Sequence, residues 1–269
     1  MDLDSAIAVD WSGSRIGGGR RTWLAEVGGD ELIELRSGWN ADSLLAWLTA
    51  RATRDPALVL GLDFAFSFPA WFVTERCGGT AAAAAWAEAA MHGEDWLREV
   101  ASPLWGRSGL GRPVLEGDRS HFRATEQPTA AIGWPKSVFQ VGGAGTVGTA
   151  SIRGMPLLAR LRQSGFAIWP FDPPVAPLVV EIYPRALTGK VVKSDPAARR
   201  RYLESWDWPR EPSLRLRVAG TEDGFDAAVS ARQMFLHAGS FRDLPQPSAQ
   251  ERLEGRIWLP GSAAVQPVF

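Results

Sequence analysis

AIAVDWSGS, residues 6–14, reads as an apolar strand that runs into a carboxylate, Asp10, and then a Ser-Gly-Ser turn. A charge at the end of a buried strand is costly unless something pairs it, and a metal ion or a phosphate is a usual partner. Three later stretches repeat the design: GLDFAFSFP around Asp63, VVEIYP around Glu181 and DGFDAAVSA around Asp226. The expectation is that these four acids meet in space.

Working outward, residues 21–27 alternate polar and apolar, residues 28–30 form a turn, and residues 31–38 form another strand, with Gly17, Gly18 and Gly19 turning the chain before them. Three strands joined by short Gly-rich turns make an antiparallel meander. Asn40 caps a helix over 41–54, and residues 57–66 are apolar almost throughout, the pattern of a central strand. A helical crossover into a buried strand implies parallel pairing.

Helices are expected from about residue 69, over 80–100, over 155–164, from Pro196 to about 206 and from 225 to about 238, with strands at FAIWPFD and LVVEIYP and a turn or short strand at EGRIWLP. Residues 102–150 lack periodicity but carry Trp and Phe, which marks an ordered insertion beside the site, not a linker. The reading is one α/β domain over residues 1–269: a mixed sheet of five-stranded type, flanked by helices, with an insertion at about 102–150.

The charges nearly cancel, 29 Lys and Arg against 30 Asp and Glu, which argues against a tight grip on long duplex nucleic acid. One cysteine, Cys77, excludes an internal disulfide. No apolar run approaches the roughly 18 residues of a membrane span, and the first residues are acidic where a signal peptide is basic. These features describe a soluble, cytoplasmic protein.

Clustered carboxylates repel, and a divalent cation would keep them ionised. All-oxygen ligation suits Mg²⁺ or Mn²⁺, so Asp10, Asp63, Glu181 and Asp226 are the candidate metal ligands and catalytic acids. Each acid also has a plainer reading: Asp226 as a helix-start residue behind Asp223, Asp63 paired with an arginine of the insertion, Glu181 in a buried ion pair. In the insertion, Arg123 and Glu126 of FRATE and Lys136 of WPKSVFQ are the charged members of apolar motifs. Arg123 and Lys136 could hold a phosphate, or pair with Glu126 or the acids. Lys136 joins the candidate catalytic set, and Ser12, Arg123, Glu126 and Lys136 are the candidate substrate contacts. GGAGTVG, residues 142–148, lacks the Lys-Ser/Thr ending of a phosphate loop and reads as a lid or turn. His121 is a candidate acid or base, and the run Arg199 to Arg201 reads as a solvated helix face.

The order of these elements and acids resembles the RNase H-like fold in its RuvC-like branch. AVDWSGS, GLDFAFSFP, FRATEQP, WPKSVFQVGGAGTVG, WPFD, VVEIYPRAL, EDGFDAAVSA and EGRIWLP together resemble a family of unknown function whose members are predicted RNase H-like nucleases. The resemblance runs from residue 6 to about 260. It implies a metal-dependent nuclease or phosphodiesterase acting on a nucleic acid or nucleotide. Two other classes stay open: an actin-like nucleotide-dependent kinase or ATPase, in which Asp10 to Ser14 would bind phosphate, and a non-catalytic binding module with the same fold.

Overall fold

The computed structural model describes residues 3–14, 20–107, 109–127, 133, 135–143 and 145–261. Its centre is a mixed six-stranded sheet in the order β3-β2-β1-β4-β6-β5. β1 (Ala6–Asp10), β2 (Trp23–Gly28) and β3 (Glu31–Ser37) form the expected antiparallel meander. Between β2 and β3, Gly29 and Asp30 both take φ of 59°, the left-handed pair that a tight hairpin requires. The expected turn at Gly17–Gly19 lies outside the described residues.

Asn40 caps α1 (Ala41–Arg54) with a reciprocal box: its side chain accepts from Ser43 N, and Ser43 Oγ accepts from Asn40 N. The chain returns as β4 (Val59–Leu62), parallel to β1, and later as β6 (Leu178–Glu181), parallel to β4. A two-residue strand, β5 (Ala167–Ile168), adds the sixth position at the edge beyond β6.

Period-two alternation divides the sheet into two faces. Ile7, Val9, Leu60, Leu62 and Val179 face one core, which also takes residues of α1, α3 (Ala82–Glu99) and α4 (Gly148–Gln163). Ala6, Ala8, Ala25, Val59 and Val180 face the other, built with α5 (Pro184–Thr188), α6 (Pro196–Ser205), α7 (Pro212–Ala219) and α8 (Glu222–Leu236). Register aligns Ala25, Ala8 and Gly61 across three strands of that second face. A Cβ on Gly61 would lie 2.6 Å from Met234 Sδ, so this small-residue row is what lets α8 pack close to the sheet.

Several boundaries differ from expectation. β4 ends at Leu62, and beyond Asp63 the amides leave the ladder: Ala65 N donates to Ser151 Oγ at 2.9 Å and Phe66 N to Glu181 Oε2 at 3.0 Å. α4 begins at Gly148, not 155, and passes through Pro156. α2 (Ala70–Glu75) starts where expected, whereas α5, α7 and α9 (Glu251–Glu254) form where the sequence pattern marks no helix. Arg199, expected on a solvated face, is buried. Among the described residues no helix is long and apolar enough to cross a membrane, and Cys77 is unpaired.

Candidate active site

Asp10 ends β1 and Asp63 follows β4, its neighbour. The parallel register pairs Ala8 with Gly61 and Val9 with Leu62, and Asp63 N continues it by donating to Val9 O at 3.1 Å. Both acids share the parity of Ala8 and Gly61, the face that α8 covers. Asp226 arrives on that face from the second turn of α8, whose N-cap is Thr221, donor-linked from Gly224 N at 3.0 Å. Asp223, not the cap, stands in the first turn.

Glu181 has the opposite parity, that of Val179, and a different fate. Its carboxylate is taken by Arg123, Nη2 to Oε1 at 2.5 Å and Nη1 to Oε2 at 2.8 Å. Arg123 Nε donates to Glu126 Oε1 at 2.9 Å, and Arg123 Nη1 also reaches Glu254 O at 2.9 Å. All three members of this triad are at most 2% exposed. Arg123, Glu126 and Glu181 border the cleft but are almost wholly buried, and their charges are satisfied by one another. The C-terminal segment locks the arrangement: Ala124 N donates to Glu254 Oε2 at 2.6 Å, Ile257 N to Thr125 Oγ1 at 2.9 Å, and Trp258 N to Glu181 O at 2.8 Å.

Both aspartate-bearing loops are seated on α4. Trp11 Nε1 donates to Ala150 O at 3.1 Å and Arg153 Nη1 to Gly13 O at 2.7 Å. Gly13 has φ of 59°, and a Cβ there would come 2.5 Å from Ala150 Cα. On the other loop, Phe64 lies against Gly154, where a Cβ would meet its ring at 2.7 Å. Small residues along α4 thus set the position of both acids.

The electrostatics follow from burial and crowding. Asp10 is raised well above the ordinary carboxylate range by burial first, then by Asp63, Asp226 and Asp223. Burial, with Asp226 next, pushes Asp63 up to about 8. Burial lifts Asp226 to about 6, against the pull of Lys193. Lys193 donates to Asp226 Oδ2, while Asp226 Oδ1 is buried with no hydrogen-bond partner. Lys193 escaped the sequence reading, although composition marks it. The chain has only three lysines, Lys136, Lys190 and Lys193, among 29 basic residues, and two of the three lie at this site.

Asp10, Asp63, Asp223 and Glu181 line a cleft of about 480 Å³, and Asp226 lies behind its lining. Ser12, Arg21 and Lys136 line it, together with Gly143, Gly145 and Thr146 of the glycine-rich stretch. Ser12 Oγ lies 3.2 Å from Thr22 Oγ1. Lys136 and Arg21 are exposed, on the insertion and beside β2. His121 packs edge-on against Trp105 with Nε2 buried and unpartnered, and it does not line the cleft.

The donor chemistry suits a hard divalent cation: oxygen ligands, carboxylates driven toward their neutral forms by burial first and then by one another, and the orphaned Asp226 Oδ1. Among the described residues, however, no three Asp, Glu, His or Cys side chains converge closely enough to enclose an ion. An ion here would rest on Asp10 and Asp63 with waters completing its shell, which is how Mg²⁺ is commonly held, through one or two carboxylates. No family model, curated protein or solved structure matches the chain.

Proposed function

We propose that the chain has an RNase H-like fold of the RuvC-like type and acts as a divalent-metal-dependent phosphodiesterase on a nucleic-acid or nucleotide substrate. One observation carries this reading. Asp10 and Asp63 stand side by side at the carboxyl ends of two adjacent parallel strands, the edge of an α/β sheet where ligands collect. The meander followed by parallel strands on one side is consistent with that fold.

Asp10 and Asp63 are the residues that would hold Mg²⁺ or Mn²⁺. Such an ion, when bound, lowers the pKa of a coordinated water and offsets charge on a phosphodiester. Across the cleft, Lys136 and Arg21 hold the substrate phosphate by charge from the solvent side. Glycines 143 and 145 leave the wall low enough for a backbone to approach. Glu181, Arg123 and Glu126 act beneath, fixing the loop after β4 through the Phe66 amide. The kinase or ATPase reading calls for two duplicated halves, whereas the described residues form one sheet.

The near-zero net charge and the modest cleft favour a short or locally structured substrate over long duplex. The test is incubation with Mn²⁺ or Mg²⁺ and a panel of single-stranded, duplex, branched and dinucleotide substrates. Cleavage that requires the metal and disappears in Asp10→Asn is expected. Its absence across the panel overturns the assignment.

A further inference from the structure

Lys193 lies in the loop between α5 and α6, and its ammonium reaches Asp226 with four-fifths of its side chain buried. The loop is not left to chance. Arg199, 3% exposed, donates through Nε to Ala219 O at 2.9 Å and through Nη1 to Lys193 O. Among the described residues no carboxylate pairs with Arg199, so a buried guanidinium is committed to backbone carbonyls that fix where Lys193 stands. A buried charge without an acidic partner is costly, and here its hydrogen bonds secure that geometry.

On the other side of Asp226, Oδ1 is buried and unpartnered, and the acid is 7% exposed. In a chain that uses arginine wherever it has the choice, a lysine at this point supplies a compact point charge. The ammonium favours the ionised forms of Asp10, Asp63, Asp223 and Asp226 alike. Among the described residues, the ammonium of Lys193 is the cation paired with Asp226, and no three carboxylates there enclose an ion.

We propose that Lys193 is the built-in second cation of this site: its ammonium holds Asp226 in the place of another divalent ion, so that the chain takes a single Mg²⁺ or Mn²⁺, on Asp10 and Asp63. The proposal rests on the metal reading given above. It assigns Lys193 a positioning and charge-balancing part, with Arg199 acting through it.

Calorimetric titration of chelator-treated protein with Mn²⁺ tests it by counting ions. One ion per chain is expected in the wild type and in Lys193→Arg, and two in Lys193→Met, whose fold is checked by circular dichroism. Two ions in the wild type overturn the proposal, and so does a count of one in folded Lys193→Met, while both leave the metal reading standing. No Mn²⁺ bound by the wild type overturns the metal reading and this proposal with it. Should Lys193→Met not fold, the wild-type count decides: one supports the proposal and two overturns it.

Discussion

Arg123 grips Glu181 through two parallel hydrogen bonds, at 2.5 and 2.8 Å, on the face of the sheet opposite to Asp10 and Asp63. The pair is closed to solvent and completed by Glu126. Its worth lies less in net attraction than in what happens when one partner is lost. Removing one member of a buried ion pair leaves an uncompensated charge, at a cost of about 3–5 kcal/mol. Glu181→Ala is therefore expected to lower the unfolding free energy by about that amount, read from urea denaturation without metal. A loss below about 1 kcal/mol would show that the triad contributes little.

Asp10→Asn is expected to do the reverse. Burial and three neighbouring aspartates disfavour the ionised form of Asp10, so a neutral isostere relieves repulsion. Metal-free stability should stay level or rise. A drop of more than about 2 kcal/mol in chelator would identify Asp10 as a partner in a structural pair.

The pH dependence follows from Asp63. Its folded pKa of about 8 lies above the unfolded value of about 3.9. Between those values the folded chain binds more protons than the unfolded one, so ionisation opposes folding and metal-free stability falls as pH rises from about 4 to about 8. Asp226, at about 6, adds to the fall over the lower part of that window. Asp63→Asn should flatten the slope. Thermal unfolding in chelator over this range measures it, and an unchanged slope in the variant refutes the assignment.

Gly13→Ala should damage the site through geometry alone. Its φ of 59° and the 2.5 Å approach to Ala150 Cα leave no room for a methyl group. Left-handed strain in a residue other than glycine costs roughly 1–3 kcal/mol. Beyond that loss, the Trp11–Ala150 bond should weaken and Asp10 shift, so Mn²⁺ affinity should fall even under conditions where the variant remains folded. Calorimetry separates the two effects.

Lys136→Ala probes the opposite wall. Lys136 is exposed and no ion pair among the described residues uses it, so stability should change by no more than about 0.5 kcal/mol. If it holds substrate phosphate, KM should rise at least tenfold and the salt dependence of cleavage should weaken. Steady-state kinetics at two ionic strengths tests this.

Much of the framework was legible from pattern. The meander, the cap and full span of α1, and the neighbouring placement of Asp10 and Asp63 all follow from strand alternation, turn residues and one capping asparagine. Two kinds of information were hidden. Glu181 sits in an apolar stretch much like those of Asp10 and Asp63, yet one step of parity sends it to the other face. That step depends on where β6 registers against β4. The first two turns of α4 were hidden because Gly148, Thr149 and Gly154 are poor helix formers. Their helix is held by tertiary contacts, in which Gly148 abuts Val138 O and Gly154 abuts Phe64. Small residues at positions 148, 151 and 154, a helical spacing, were the available signal. Lys193 could have been noticed from the rarity of lysine, but it lies in a loop and its partner is 33 residues away on α8.

The hydrogen bond from Trp258 to Glu181, with those from residues 124 and 257 around it, has a consequence for the timing of synthesis. The segment that clamps the Arg123–Glu181 triad is made after all six strands of the sheet. A nascent chain that has emerged only as far as residue 250 already possesses every aspartate of the cleft while the floor beneath them is unlatched. Maturation of the site therefore waits on translation of residues 254–258, well after its aspartates.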